Sequence, residues 1–302
     1  MDNLIADFLQ DLELSGKTDK TALHYGYCLR NFKTYLAGRS PLDADKETLR
    51  GFIAYLKAQN KTIKTIENYF SVLSSFYEYL VFEEKAAGNP VIPVRKRYLR
   101  RYKDNDDGQA RKLISVADMA SLINCTLDIR DKAVITLLAK TGIRRHELVD
   151  LDISDLDLVE MKIRLKPTAK RTNRTVFFDD ECSFILRRWL AIREDMNKKS
   201  SPALFLNAEG ERLNRSGVYN LVVEAARRAG LHDPTSERLE DHFGPHCCRH
   251  WFCTHLFRNG MRREYIKELR GDSRKEAFDL YNHIDLKELK EVYLAAIPQL
   301  GI

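Results

Sequence analysis

Four separated segments of this 302-residue sequence hold the residue types best able to do chemistry together. The first is Thr141-Gly-Ile-Arg-Arg-His-Glu-Leu148, where a helix should end at Gly142 and Arg144 should sit at the turn into the next. A guanidinium stays charged at any working pH, and its planar fork matches two phosphate oxygens. The second is the polar turn from Lys166 to Arg174, which crowds Lys166, Lys170, Arg171 and Arg174. A lysine in such a turn can enter a groove or give a proton to a departing oxygen. The third is Gly244-Pro-His-Cys-Cys-Arg-His250. Pro245 suits a helix start, so His246 and Arg249 fall one turn apart on one face and can touch one phosphate together. The fourth is Tyr281, within Phe278-Asp-Leu-Tyr-Asn-His283. Taken singly, the cations also read as solvated charges and the tyrosine as packing. A zinc site competes for the third segment, since His246, Cys247, Cys248, His250, Cys253 and His255 are all possible ligands. A single helix cannot aim four of them at one point, but His246, His250 and Cys253 share a face.

These segments need a scaffold to bring them together. Leu4, Ile5, Phe8, Leu9 and Leu12 recur at helical spacing. Asp19 is placed to cap a second helix carrying Leu23, Tyr27, Phe32, Tyr35 and Leu36. Phe52, Ile53, Tyr55 and Leu56 mark a third. Ile66, Tyr69, Phe70, Leu73, Phe76, Tyr77 and Leu80 mark a fourth, with Lys61 and Lys64 exposed near its start. The aromatic stripe reads as core, giving a four-helix module over residues 1–86. Ala87-Gly-Asn-Pro-Val-Ile-Pro-Val94 should end it, because two prolines and a glycine forbid a continuous helix. Arg95, Lys96, Arg97, Arg100, Arg101 and Lys103 follow, so residues 87–112 read as a basic linker. Such a run is either a solvated linker or a strap along a phosphate backbone.

Ser115 should cap the first helix of a second domain, residues 113–302. A helix is expected over 128–141, then strands at Ile163–Leu165 and Thr175–Phe178 joined as an antiparallel hairpin. Helices return at 180–195, 215–229, 246–259, 262–270, 274–282 and 286–296. The expected class is mainly α with a small antiparallel sheet.

Composition narrows the function classes. An apolar share of 44% is enough to bury a core, so disorder throughout is excluded. The run Val134–Ala139 falls far short of the ~20 residues that cross a bilayer. Met1–Asp7 lacks the basic start and apolar stretch of a signal peptide, which points to the cytoplasm, associated with the nucleoid. Six cysteines without regular spacing do not suggest a disulfide framework. A net charge of +6 permits a polyanionic partner without demanding one.

As a set, Thr141-Gly-Ile-Arg144 with Glu147-Leu148, Lys170 in a hairpin, His246-x-x-Arg249-His250, Arg270-Gly271-Asp272 and Tyr281 resemble the tyrosine recombinase (phage integrase) family. Order and spacing fit from about 113 to 297, and the helical first module looks like that family's core-binding, SAM-like domain. The chain looks most like the Xer-like and archaeal integrases. The resemblance implies that Tyr281 attacks a DNA phosphodiester, giving a 3′-phosphotyrosyl enzyme and a free 5′-hydroxyl. Arg144 and Arg249 would clamp the non-bridging oxygens, Lys170 would protonate the leaving oxygen, and His246 would move the tyrosine's proton. Glu147 matches an acidic position expected to orient the site. Lys166 lies four residues before Lys170, and Lys170 fits the family position better. Asp272 departs from the family, which usually has His or Trp there to donate to the phosphate; an ionised Asp cannot donate.

The resemblance further implies double-stranded DNA as partner, a tetramer on two DNA sites, and no metal or cofactor. Arg95, Lys96, Arg97, Arg100, Arg101, Lys61, Lys64 and Arg174 are the expected DNA contacts. The product would be integration or excision of a mobile element, or resolution of a DNA dimer. The alternative is a catalytically inactive relative that binds DNA as a regulator or structural protein.

Overall fold

Side-chain caps set where three helices of the first unit begin. The computed structural model describes residues 1–99, 112–167, 174–271 and 284–302, and divides into units Met1–Gly108 and Gln109–Ile302. In the first unit, α1 (Asp2–Leu14), α2 (Asp19–Leu36), α3 (Lys46–Ala58) and α4 (Ile63–Phe82) match the four expected helices. Thr18 accepts the Thr21 N–H at 3.3 Å, Asp45 that of Thr48 at 2.8 Å, and Thr62 that of Thr65 at 3.2 Å. Each such cap is worth about 1 kcal/mol. The cap of α2 is therefore Thr18; Asp19 is the first helical residue, where its charge suits the helix dipole. Phe8, Phe32, Phe52, Phe70 and Phe76 fill the core, with Tyr69 and Tyr77 buried among them.

A fifth helix, α5 (Val91–Tyr98), occupies part of the stretch expected to be linker. Pro90 sits at its N-cap and Pro93 in its first turn, where backbone N–H groups have no helical acceptor and a missing one costs nothing. Val91, Val94 and Leu99 are buried in the first unit's core, so hydrophobic burial favours the helix over an open strand of linker.

In the second unit, Ser115 and Asp118 exchange bonds in a capping box that starts α6 (Val116–Asn124). Next come α7 (Ile129–Thr141), α8 (Arg145–Val149), β1 (Leu156–Asp157), β2 (Lys162–Leu165) and β3 (Arg174–Phe177). The strands run antiparallel in the order β1-β2-β3, with Ile163 opposite Val176 and Leu165 opposite Arg174. The hairpin was expected; β1, only two residues long, was not. Then follow α9 (Asp180–Met196), α10 (Arg215–Arg228), α11 (Pro245–Arg258), α12 (Arg263–Arg270) and α13 (Leu286–Ala296). The helix expected at 274–282 falls outside the described residues.

The central helix is α7, buried on every side from Ala133 to Thr141 and packed against α9 and α11. That burial includes Lys140, whose ammonium meets Asp179 at 2.6 Å, Glu181 at 2.5 Å and the Pro298 carbonyl at 2.8 Å. Glu181 also accepts the N–H groups of Leu300 and Gly301. Leu289, Tyr293 and Ala296 of α13 are buried in the same unit, and the Tyr293 hydroxyl donates to the Lys140 carbonyl at 2.8 Å. The final helix and tail thus pack on their own unit. Among the described residues, no helix is long and apolar enough to cross a membrane.

Candidate active site

Gly142 ends α7 in the left-handed conformation, φ +59°, and turns the chain toward Arg144. A side chain there would also strike the Phe252 ring, since a Cβ would lie 2.3 Å from it. Only glycine meets both demands. Arg144 then stands at the N-cap of α8, where the third helical residue, Glu147, accepts its backbone N–H at 2.6 Å. Arg249 lies in the first turns of α11, which begins at Pro245 with His246 beside it. His246 is exposed, whereas Arg249 is buried.

Both arginines reach the C-terminal end of α12. Arg144 Nη1 donates to the Arg270 carbonyl at 3.0 Å, and Arg249 Nη2 donates to the same oxygen at 2.9 Å. Arg249 Nη1 donates to the Gly142 carbonyl at 2.6 Å. Carbonyls at a helix C-terminus lack helical donors and carry partial negative charge, so they orient guanidiniums well. Being neutral, they do so without cancelling the positive charge. Burial first, then the neighbouring Arg144, brings Arg249 down to about 10, which leaves it cationic at neutral pH. Two fixed guanidiniums converging on one point, beside the N-terminus of α11, suit a tetrahedral oxyanion.

Glu147 is almost wholly buried, and burial would push its carboxyl up. The Arg174 guanidinium, joined by the backbone N–H and charge of Arg144, outweighs that and holds it below the usual glutamate range. Arg174 was among the expected DNA contacts; in the structure its fork is turned to Glu147. Its two terminal nitrogens bond to the two Glu147 oxygens at 2.6 and 2.9 Å, and Nε donates to the Leu269 carbonyl at 3.1 Å. With its fork filled and its side chain 8% exposed, it faces inward.

The other expected residues divide clearly. Lys166 is tied to Asp152, with Asp155 also close at 3.7 Å. Lys170, Asp272 and Tyr281 lie outside the described residues, as do Arg100 and Arg101. Arg95 rests on α4, donating to Ser71 at 2.9 Å with Glu67 at 4.0 Å, while Lys96 and Arg97 are exposed on α5. Lys61 and Lys64 flank the Thr62 cap of α4. Among the described residues, no three His, Cys, Asp or Glu side chains gather to hold a metal ion. Among the described residues, His246, His250 and Cys253 do not form such a group, and no disulfide joins two cysteines.

The phage integrase family model matches residues 106–288, and the model of the phage integrase N-terminal SAM-like domain matches residues 4–86. The chain belongs to the phage integrase family. Kinship runs along nearly its whole length. The tyrosine recombinase XerC of Thermodesulfovibrio yellowstonii is 32% identical, covering 97% of this chain and 96% of its own. The tyrosine recombinase XerD of Oceanobacillus iheyensis is 27% identical, covering 98% of each. The fold matches a lambda integrase dimer bound to a COC′ core site with a TM-score of 0.71 at 13% identity, over 95% of this chain and 99% of that one. It matches the Tn1549 transposon integrase in complex with transposon right end DNA with a TM-score of 0.72 at 17% identity, over 94% and 96%. This phage integrase family member is a tyrosine recombinase, an enzyme of site-specific DNA breakage and rejoining.

Proposed function

We propose that this recombinase cuts and reseals double-stranded DNA through a tyrosyl ester. The observation that carries the reading is the convergence of Arg144 and Arg249 on the end of α12. A phosphodiester is anionic and repels nucleophiles, so the site must first neutralise it. The two guanidiniums supply the charge that metal ions supply in many nucleases. The Tyr281 hydroxyl then attacks phosphorus, and the bond from phosphorus to the 5′-oxygen breaks. His246 takes the phenolic proton, and Lys170 gives a proton to the departing oxygen. A phenol near pKa 10 needs such help. The ester stores the broken bond, so the 5′-hydroxyl of another strand can reverse the step without ATP.

Asp272 is read as orienting His246 or Arg144. An unchanged cleavage rate in Asp272→Ala would remove that role.

DNA contact is assigned to Lys96 and Arg97 on α5, with Arg100 and Arg101 beyond it, and to Lys61 and Lys64. Two pairs of subunits on two sites would form the exchanging tetramer. Both the movement of a mobile element and the resolution of a DNA dimer fit this chemistry. The test is recombination between two copies of the host sequence flanking the gene, on one plasmid, with EDTA and no ATP. Recombinant products are expected; products that require nucleotide or divalent metal would contradict the scheme.

A further inference from the structure

We infer that Arg174 is a positioning residue that sets Arg144 for the phosphate through Glu147. The inference rests on the recombinase reading and adds a residue to it.

Three elements meet at this one side chain. Arg174 opens β3, Glu147 lies in the first turn of α8, and Leu269 lies in the last turn of α12. The fork holds both Glu147 oxygens, and Nε holds the Leu269 carbonyl. The same carboxylate grips Arg144 twice: Oε2 accepts its backbone N–H at 2.6 Å, and Oε1 accepts Nη1 at 3.3 Å. A phosphate-contacting arginine would present its fork outward. This one is spent on a carboxylate and a carbonyl, at 8% exposure.

The fit leaves no spare room. Gly271 takes φ +59°, and a Cβ there would lie 2.6 Å from Arg174 Nη1 and 2.8 Å from its Cδ. Arg174 therefore lies against the turn that follows Arg270, whose carbonyl receives both Arg144 and Arg249. Bidentate geometry matters here, because a lysine cannot hold two oxygens in one plane and a carbonyl as well.

The experiment measures single-turnover cleavage of nicked target DNA, and DNA affinity separately, in full-length protein. Wild type must first form the covalent adduct; its failure there would count against the recombinase reading, not against this one. Given that adduct, Arg174→Gln is expected to slow cleavage at saturating DNA about 10²-fold, the scale of losing an aligned oxyanion donor. Affinity should stay within two-fold. Arg174→Lys should recover only part of the rate. The acid limb of the cleavage profile should move upward in Arg174→Gln, because burial without the guanidinium raises the Glu147 carboxyl. Removing both charges in Arg174→Met/Glu147→Met keeps a packed core and guards against misfolding. That pair should cleave no faster than Arg174→Gln alone. Wild-type cleavage in the folded double variant would overturn the inference. So would weaker DNA binding with an unchanged rate at saturation, which would make Arg174 a phosphate contact.

Discussion

Arg144 and Arg249, 105 residues apart in the chain, donate to one oxygen, the main-chain carbonyl of Arg270, at 3.0 and 2.9 Å. The end of α12 thus acts as a template that aims two cations at one place. Their orientation is fixed by folding, before any substrate arrives, so none of it has to be reorganised during the reaction.

That template predicts a strict requirement for arginine at position 249. Lysine has one nitrogen and cannot reach the Gly142 and Arg270 carbonyls while facing a phosphate. Arg249→Lys should lower single-turnover cleavage by at least about 10²-fold. DNA affinity should change little, since most of it comes from backbone contacts elsewhere. A rate within a few-fold of wild type would argue against the template.

The buried Lys140 ties α7 to α9 and to the tail, and its removal strands Asp179 and Glu181 in a dry site. Lys140→Met should cost about 3–5 kcal/mol in urea unfolding at neutral pH. Burial raises the Glu181 carboxyl, but Lys140 and the tail N–H groups outweigh it and hold it below its usual 4.5. A lowered carboxyl contributes stability above its unfolded pKa and loses it as pH falls through the folded one. Wild type and Lys140→Met should therefore converge in acid. Amide exchange at Leu300 and Gly301 should quicken in the variant. An unchanged urea midpoint would show that the network contributes nothing net.

The α5 cations should not contribute equally to DNA binding. Arg95 is engaged with Ser71 and Glu67, whereas Lys96 and Arg97 are exposed. Replacing Lys96 and Arg97 together by Ala should reduce the slope of log affinity against log salt by up to about 1.8, at roughly 0.9 per phosphate contact. Arg95→Ala should leave the slope nearly intact. The opposite ranking would make Arg95 the backbone contact.

Much of this was legible in residue patterns. The helical period of large apolar residues located α1 to α4, and Gly142, Ser115 and Pro245 marked real helix ends. Arg144 bonds to Glu147 and shares the Arg270 carbonyl with Arg249, three residues that the motifs had singled out. Other features depend on partners that spacing cannot disclose. Arg174 reads as one more turn cation until Glu147, 27 residues earlier, is seen to fill its fork. The buried state of Lys140 shows only in its apolar neighbours from Val134 to Ala139; its counter-charges lie 39 and 41 residues away. Pro93 argued against a helix, yet in a first turn it is tolerated, and Val91, Val94 and Leu99 then decide the outcome by burial. Strand β1 is too short to show a period.

The central claim is that Tyr281 becomes joined to DNA. Wild type and Tyr281→Phe should be incubated with nicked DNA from the host locus, denatured, digested with trypsin and examined by mass spectrometry. A nucleotide-bearing phosphate on Tyr281 in wild type, with no adduct in Tyr281→Phe, is the predicted result. An adduct on another residue, or DNA cleavage by Tyr281→Phe at the wild-type rate, would contradict it.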